Sequence, residues 1–570
     1  MALSPENLHK LELPEQIANL VFSCDHPWEL EDPHRAMVLA KLKDCEEAAL
    51  QKGVSPIAKL TSPLDFDDPG AIIQARIYIC RGLLSPIRRI PLEILLVIFE
   101  YYVGPPSSLK LDPVRKQTPF DLYLVCRAWR DLTIHHPPLW SAPLFEMQHG
   151  QPLQVTQTHA VAMGKWISRI GTFPWSARIK VSTWTEAGQR HQEIRYKCPS
   201  HPNGSPLHHF ISSSALQGLR RLHIHLPNSP IFTTGLGAMV FPNVDSLVVE
   251  MHPSVGDSYW RGMAPPAELP ICPSLKKAVL SDVRMYDMPE HFPWGQLTHL
   301  HLAEGLSFEK ILRVLSHCSS LRRGSFDHRC HLDIPNTEGP APQGGIVLQH
   351  LTELTFSGDI SFPRPFTGLS WPNLSHLSLK ATYEDEDSLQ CQWDPYNLEL
   401  MGTLTCLQYE YSPIGIFPRD GFVRLIKSCP RLTRLSLNVA PYDEVVSQLI
   451  FDNAQPSLPL LEELTIHLED INRIDENTVD CLVEMVSSRT RPLCNGGVHL
   501  KTLAICIKHL GYGELGWRTR ISSALLRFNN RLNIRVVGGG CDYLWGPTIP
   551  ALVHWDDGLS ESLGMFSKFL

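Results

Sequence analysis

The chain of 570 residues contains no run of about 18 apolar residues, the length a helix needs to cross a bilayer. Its first twenty residues carry Glu6, His9 and Glu15 where a secretory leader needs an apolar stretch. Neither membrane insertion nor export is expected, and the expected location is cytoplasm or nucleus. Charge of one sign is also lacking. The 51 Lys and Arg against 59 Asp and Glu leave a net charge of −8, with no global attraction to nucleic acid. Charged residues are only 19% and apolar ones 43%, which excludes a disordered chain or a coiled-coil rod. The 15 cysteines are odd in number, scattered, and never spaced Cys-x-x-Cys, so neither a disulfide framework nor a zinc frame is present.

Catalytic signatures are missing as well. There is no Gly-x-Ser-x-Gly elbow, no His-Glu-x-x-His pair and no phosphate loop; Gly164-Lys165 lacks the following Ser or Thr. His328, Cys330 and His331 are the densest set of possible ligands, but their spacing is poor for one tetrahedral site. The acidic run 384–387 lacks calcium-loop spacing, and Gly538–Gly540 lacks the strand–glycine–helix context of a dinucleotide site. No catalytic residue, metal or cofactor is expected, and the chain is not expected to be an enzyme. What it has in excess is proline: 47 residues, against a usual share of about 5%. With 36 glycines, this implies many turns between short elements.

The spacing Val38, Leu42, Cys45, Ala49 predicts one apolar helix stripe, and Ile73, Ile77, Cys80, Leu84 predicts another. Two antiparallel helices would bury both stripes, so residues 1–84 read as a helical leader. Across Leu92–Tyr102 only Glu93 and Glu100 are charged, so a helix there is apolar nearly all round. Such a helix must be covered on more than one side, by the repeats that follow or by a partner protein.

The run Ile90-Pro91-Leu92-Glu93-Ile94-Leu95, then Ile98-Phe99, Val125-Cys126-Arg127-Ala128-Trp129-Arg130 and Pro138-Leu139-Trp140, resembles the F-box. It is similar to the version in many fungal F-box proteins, where a helical leader precedes a motif like Ser85–Pro91. The resemblance covers residues 85–140 and implies a three-helix module that docks on a Skp-family adaptor of a cullin–RING ubiquitin ligase. By position it implies that Pro91, Ile94, Leu95 and Ile98 face the adaptor. Val125, Cys126 and Trp129 would share the box core and that contact, and Trp140 would close the box. One departure is the long connection between Tyr102 and Phe120, whose prolines indicate an inserted loop.

From residue 211 to 536 the frame Leu-x-x-Leu-x-Leu recurs, for example at Leu219-Leu222-Ile224, Leu297-Leu300-Leu302, Leu374-Leu377-Leu379 and Leu432-Leu435-Leu437. Weaker copies sit at Leu275-Ala278-Leu280 and Leu321-Gly324-Phe326. The ten steps from Leu219 to Leu500 average about 28 residues, within the leucine-rich-repeat range. Alternation within each frame predicts a strand, and stretches such as Phe308–Leu315 predict helices behind the strands. Cys272, Cys318 and Cys429 each precede a frame and read as turn or core residues. The usual Asn or Cys after the frame is replaced at Pro227, Gly305, Asp359, Thr382, Ala440 and Glu469, so the customary polar ladder is expected to be missing. The fold class is therefore α/β: a helical leader and three-helix F-box followed by an irregular leucine-rich-repeat solenoid. Residues 141–210 are expected to be a transition with one or two degenerate capping repeats, and 537–570 a C-terminal cap or tail.

The architecture implies a substrate-recognition subunit of a cullin–RING ligase, or alternatively a scaffold that acts without ubiquitin transfer. Its target is an unidentified protein, with no nucleic acid and no membrane among the expected partners. Residues interleaved with the buried leucines would line the concave side of the sheet. The target-contact candidates there are Arg221, His223, Lys277, His299, His301, Arg323 and Arg434. The arginines raise the expectation of an acidic or phosphorylated target segment. The alternative is that these are ordinary solvated strand residues and the target binds inter-repeat loops.

Overall fold

The computed structural model describes residues 10–22, 32–55, 67–85, 90–103, 119–125, 127–148, 161, 164–182, 214–227, 239–252, 269–281, 283, 291–306, 308–328, 345–358, 369–381, 400–411, 419–438, 442–452, 457–468, 474–491, 498–507 and 514–538. The chain divides into two compact units, Met1–Ser141 and Ala142–Leu570.

In the first unit, α1 (Glu15–Phe22), α2 (Asp32–Gln51) and α3 (Pro69–Leu84) form the leader. Asp68 caps α3 by accepting from the Gly70 and Ala71 amides at 2.8 and 3.2 Å, and Pro69 opens the helix where no amide is needed. Val38, Cys45, Ala49, Ile73, Ile77 and Cys80 are buried and Leu42 and Leu84 partly so, as the two stripes predict. Val38 packs with Ile79 and Leu83, and Cys45 with Ile73 and Ile77, which is the antiparallel arrangement. Leu11 and Ile17 complete this core from the α1 side, a contribution the stripes did not signal.

Three further helices follow: α4 (Leu92–Val103), α5 (Pro119–Tyr123) and α6 (Arg127–Ile134). The Leu95 amide donates to the Pro91 carbonyl at 2.9 Å, so Pro91 starts α4. Phe99 on α4 meets the Trp129 ring of α6 edge-on at 4.6 Å. Trp140, in the 3-10 turn Pro137–Trp140, is fully buried, donates to the Thr133 carbonyl at 2.6 Å and meets Phe120 edge-on. The inserted connection, residues 104–118, lies outside the described residues.

The second unit is a repeat solenoid in which fourteen of sixteen described strands form one parallel sheet. They are β1 (Leu144–Gln148), β2 (Trp175–Ser182), β3 (Leu219–Pro227), β4 (Ser246–His252), β5 (Lys277–Ser281), β6 (His299–Leu306), β7 (Arg323–His328), β8 (Ile346–Val347) and β9 (Glu353–Gly358). They continue as β10 (Leu369–Ser370), β11 (His376–Ala381), β12 (Cys406–Tyr411), β13 (Arg434–Asn438), β14 (Glu463–Leu468), β15 (Thr502–Ile507) and β16 (Asn533–Gly538). Fourteen of them pair in chain order, while β8 and β10 form a separate two-stranded parallel pair. Strands β1 and β2 lie inside the stretch expected to hold degenerate capping repeats, and β16 adds a repeat after the last leucine frame. Behind the sheet lie α7 (Phe308–His317), on the helical stretch expected at Phe308–Leu315, α8 (Arg419–Lys427) and α10 (Glu476–Thr490). Between the last two comes the short α9 (Tyr442–Ser447), and α11 (Glu514–Leu525) precedes β16.

The frame apolars stack in two buried columns. One runs Leu222, Leu247, Ala278, Leu300 through Leu503, the other Ile224, Val249, Leu280, Leu302 through Ile505. Gly324 replaces a leucine in the first column because the Phe326 ring already fills that space: a Cβ at 324 would lie 2.8 Å from the ring. Cys272, Cys318 and Cys429 are buried, and their carbonyls accept the Leu275, Leu321 and Leu432 amides in the turns that open each frame.

The polar ladder expected to be missing is present at another place. Thr298, Thr352, Ser375, Thr405 and Thr433, each just before a strand, donate their hydroxyls to the preceding repeat's carbonyl at 3.0–3.1 Å. Asn243 and Asn373 span neighbouring repeats in the same way, donating to the Gln217 and Gln349 carbonyls. Short hydroxyls at strand entry thus tie each of these repeats to the one before it, beside the two backbone amides that the same carbonyl accepts.

Candidate protein-binding surfaces

On α4 the apolar residues split by face. Leu95 and Phe99, four apart, are fully buried. Ile94, Val97, Ile98 and Tyr101 follow the i, i+3, i+4, i+7 spacing of one helix face and are 53, 60, 43 and 89% exposed. Pro91 and Leu92 are exposed at the start of the helix, and Leu124 and Val125 between α5 and α6. Of the box residues predicted to face a partner, Pro91, Ile94, Ile98 and Val125 are thus solvent-facing. Leu95 is corrected: the helical turn that exposes Ile94 and Ile98 points Leu95 into the unit's core. Trp129 is half-buried against Phe99, and Cys126 lies outside the described residues. Glu100, beside this face, has the His136 imidazole 2.7 Å from its carboxylate.

In the second unit, residues between the frame apolars form three columns on the opposite sheet face. Arg221, Lys277, His299, Arg323, His376 and Arg434 belong to the first column, at the strand entries. The middle column includes His223, Val248, Val279, His301, Ser325 and Ser436, and apart from partly exposed His301 these are buried. Glu250, Asp327, Lys380, Glu410 and His467 are in the third.

This face is braced by its own charges. Arg323 Nε lies 3.2 Å from Glu353, and Lys380 Nζ lies 3.4 Å from Glu410. Arg434 donates to His376 Nε2 at 2.9 Å, while Ser436 and His467 meet at 3.2 Å. His223, only 1% exposed, sits 3.1 Å from Glu250, and His225 sits 3.3 Å from the same oxygen. Burial alone would raise the Glu250 carboxyl, but hydrogen bonds from His223 and His225 outweigh it and hold it below the usual carboxylate range. Burial lowers His223, pushes His301 down to about 4, and with Arg434 and Arg323 nearby also lowers His376. Burial raises Glu353 even beside Arg323. One expectation changes: His223 is buried and cannot meet a target directly. The lowered His301 and His376 add no positive charge near neutral pH. Arg221, Arg323 and Arg434 sit in one column but four strands apart in turn, a separation of about 19 Å each time at ~4.8 Å per strand. They are not brought together as one anion pocket. Lys277 and His299 are partly exposed in that same column.

Among the described residues, no group of three or more His, Cys, Asp or Glu could hold a metal ion, and no helix is long and apolar enough to cross a membrane. Cys330 and His331 of the sequence cluster lie outside the described residues.

The fold and its surfaces define a leucine-frame repeat solenoid joined in sequence to a helical unit with an exposed apolar face. The chain matches no protein-family model and no curated protein. Solved structures similar to it include TLR13 in its complex with ssRNA13, at 14% identity and TM-score 0.28, covering 66% of this chain and 44% of that one. Another is the leucine-rich repeat-containing protein LegL7 from Legionella pneumophila, at 13% and 0.29, covering 55% and 97%. A Bacteroides fragilis protein is similar at 13% and 0.25, covering 52% and 66%. The chain thus spans less than half the length of the TLR13 chain.

Proposed function

We propose that this chain is the substrate-recognition subunit of a cullin–RING ubiquitin ligase, binding a Skp-family adaptor through residues 85–140 and a target protein through the repeats. The observation that carries this reading is the α4 stripe. Ile94, Val97, Ile98 and Tyr101 leave a continuous apolar row in water while the helix's other side is already packed. Burying each such side chain is worth about 1.5–3 kcal/mol, so the row favours a partner that covers it. The F-box resemblance of the same residues supplies the partner's identity. The chain itself performs no bond chemistry. It raises the effective concentration of target lysines near the charged conjugating enzyme, in cytoplasm or nucleus.

The test is copurification of tagged full-length protein with the adaptor and a cullin. Recovery of both supports a ligase subunit. Recovery of the adaptor without a cullin points to a scaffold acting without ubiquitin transfer, and recovery of neither overturns the proposal.

A further inference from the structure

The last repeat reverses the charge of the rest of the chain. Residues 485–540 hold nine Lys and Arg against a single acidic residue, Glu514, a local balance of +8 in a chain that totals −8. Arg491, Arg518, Arg520, Arg527, Arg531 and Arg535 are all exposed. They are carried by contiguous elements: Arg491 ends α10, Arg518 and Arg520 lie on α11, Arg527 is in the 3-10 turn Leu526–Phe528, and Arg531 precedes β16, whereas Arg535 lies within β16 in register with Ala504 and faces the other side of the sheet. Both α10 and β16 pack against α11. Arg520 pairs with Glu476, and Lys501 with Glu462 at 2.8 Å. Among the described residues, Arg518, Arg527 and Arg531 have no ionic partner. Compensation of helix dipoles accounts for Arg491 and Arg527 at helix C-termini, but not for Arg518 or Arg531.

We propose that this terminal repeat binds an acidic polypeptide segment, one rich in Asp and Glu, through Arg518, Arg527 and Arg531. Like charges held close on one repeat cost stability through mutual repulsion, and an anionic partner relieves that cost. Guanidinium forks suit carboxylates. The apolar content of the patch favours protein over nucleic acid. Leu526 is 65% exposed, and the Trp517 and Phe528 rings each already carry a guanidinium, Arg520 at 5.3 Å and Arg527 at 4.9 Å, on a face a base would stack on. Arginine, aromatic and aliphatic side chains together match the composition of protein interfaces. The proposal is independent of adaptor docking and stands or falls without it.

The experiment measures fluorescence anisotropy of a labelled poly-glutamate peptide, and of a single-stranded RNA of matched charge, with full-length protein. Saturable binding of the peptide that weakens with added salt is expected, together with a loss of about tenfold or more in R518E/R527E/R531E. Thermal melting of that variant checks its fold. Should it not fold, R527Q/R531Q, which introduces no new charge, gives the same readout with a smaller loss. Absence of peptide binding by the wild type overturns the proposal, as does undiminished binding by a natively melting variant. Tighter binding of the RNA than of the peptide overturns it in favour of a nucleic-acid surface.

Discussion

Arg434 on β13 reaches over the intervening strand β12 to place its Nη2 2.9 Å from His376 Nε2 on β11. The other ring nitrogen, Nδ1, is 2.7 Å from the Ser375 hydroxyl. For Nε2 to accept from a guanidinium, the ring must be neutral, and burial together with the Arg434 and Arg323 charges favours that form. Across β11 to β13 the sheet face is therefore held by a contact that requires uncharged His376.

A pH dependence follows. A histidine whose folded pKa is lowered binds its proton more readily when unfolded, so its stabilising effect is present above about 6.5 and is lost as pH falls toward the folded value. His223 and His376 are shifted in that direction, and His301 reaches about 4. Glu250, held low by its two histidines, adds stability that disappears in the more acidic carboxylate range. Thermal melting between pH 7.5 and 5 is expected to show a falling midpoint, at up to ~1.4 kcal/mol per pH unit for each fully titrating histidine. A midpoint that stays flat or rises on acidification contradicts this account of the sheet face.

Gly324→Ala places a methyl group where the Phe326 ring already lies. A loss of about 1–3 kcal/mol is expected, from overpacking in a closed core. Adding Phe326→Leu to make room should recover part of that loss. Chemical denaturation of the single and double variants measures both, and additive losses would show that the glycine and the ring do not share the space.

Arg489 on α10 is 1% exposed and donates to three backbone carbonyls, those of Leu449, Ser457 and Leu458, at 2.8–3.1 Å. Arg489→Met keeps much of the volume but leaves three carbonyls without this donor. The expected cost is about 3 kcal/mol or more, read as a lowered unfolding midpoint. Arg489→Lys should recover little, because one ammonium cannot span three carbonyls fixed by a planar fork. Equal stability of the methionine variant and the wild type would remove Arg489 from the fold's essential contacts.

The solenoid was legible because leucine spacing is a local property. Frames such as Leu374-Leu377-Leu379 read directly as strands, and the cysteines before the frames as turns. Strands β1, β2 and β16 were harder: Trp175, Ala177 and Ile179, or Ile534 and Val536, alternate correctly but carry no leucine frame. The α4 helix was legible as apolar all round, yet composition could not say which side was covered. Leu95 and Ile94 are equally apolar neighbours, and only helix phase against Phe99 and the core separates them. The side-chain pairs on the sheet face were not legible at all, since Arg323–Glu353 and Arg434–His376 join residues 30 and 58 positions apart. The row of target candidates consequently looked more cationic in sequence than it is when folded.

The central claim is that the exposed α4 face docks an adaptor, and calorimetric titration of purified Skp-family adaptor into full-length protein tests it most directly. Ile94→Lys/Ile98→Lys puts two charges on that face without touching buried Leu95 or Phe99, so the fold and its melting temperature should be retained. Each anchor lost is worth about 2 kcal/mol or more, and the pair should reduce affinity about a thousandfold or abolish it. Leu95→Ala should instead destabilise the helical unit by about 2–5 kcal/mol. Loss of adaptor binding in the folded double variant is the predicted result. Wild-type affinity in that variant, or no binding by the wild type, would contradict the account.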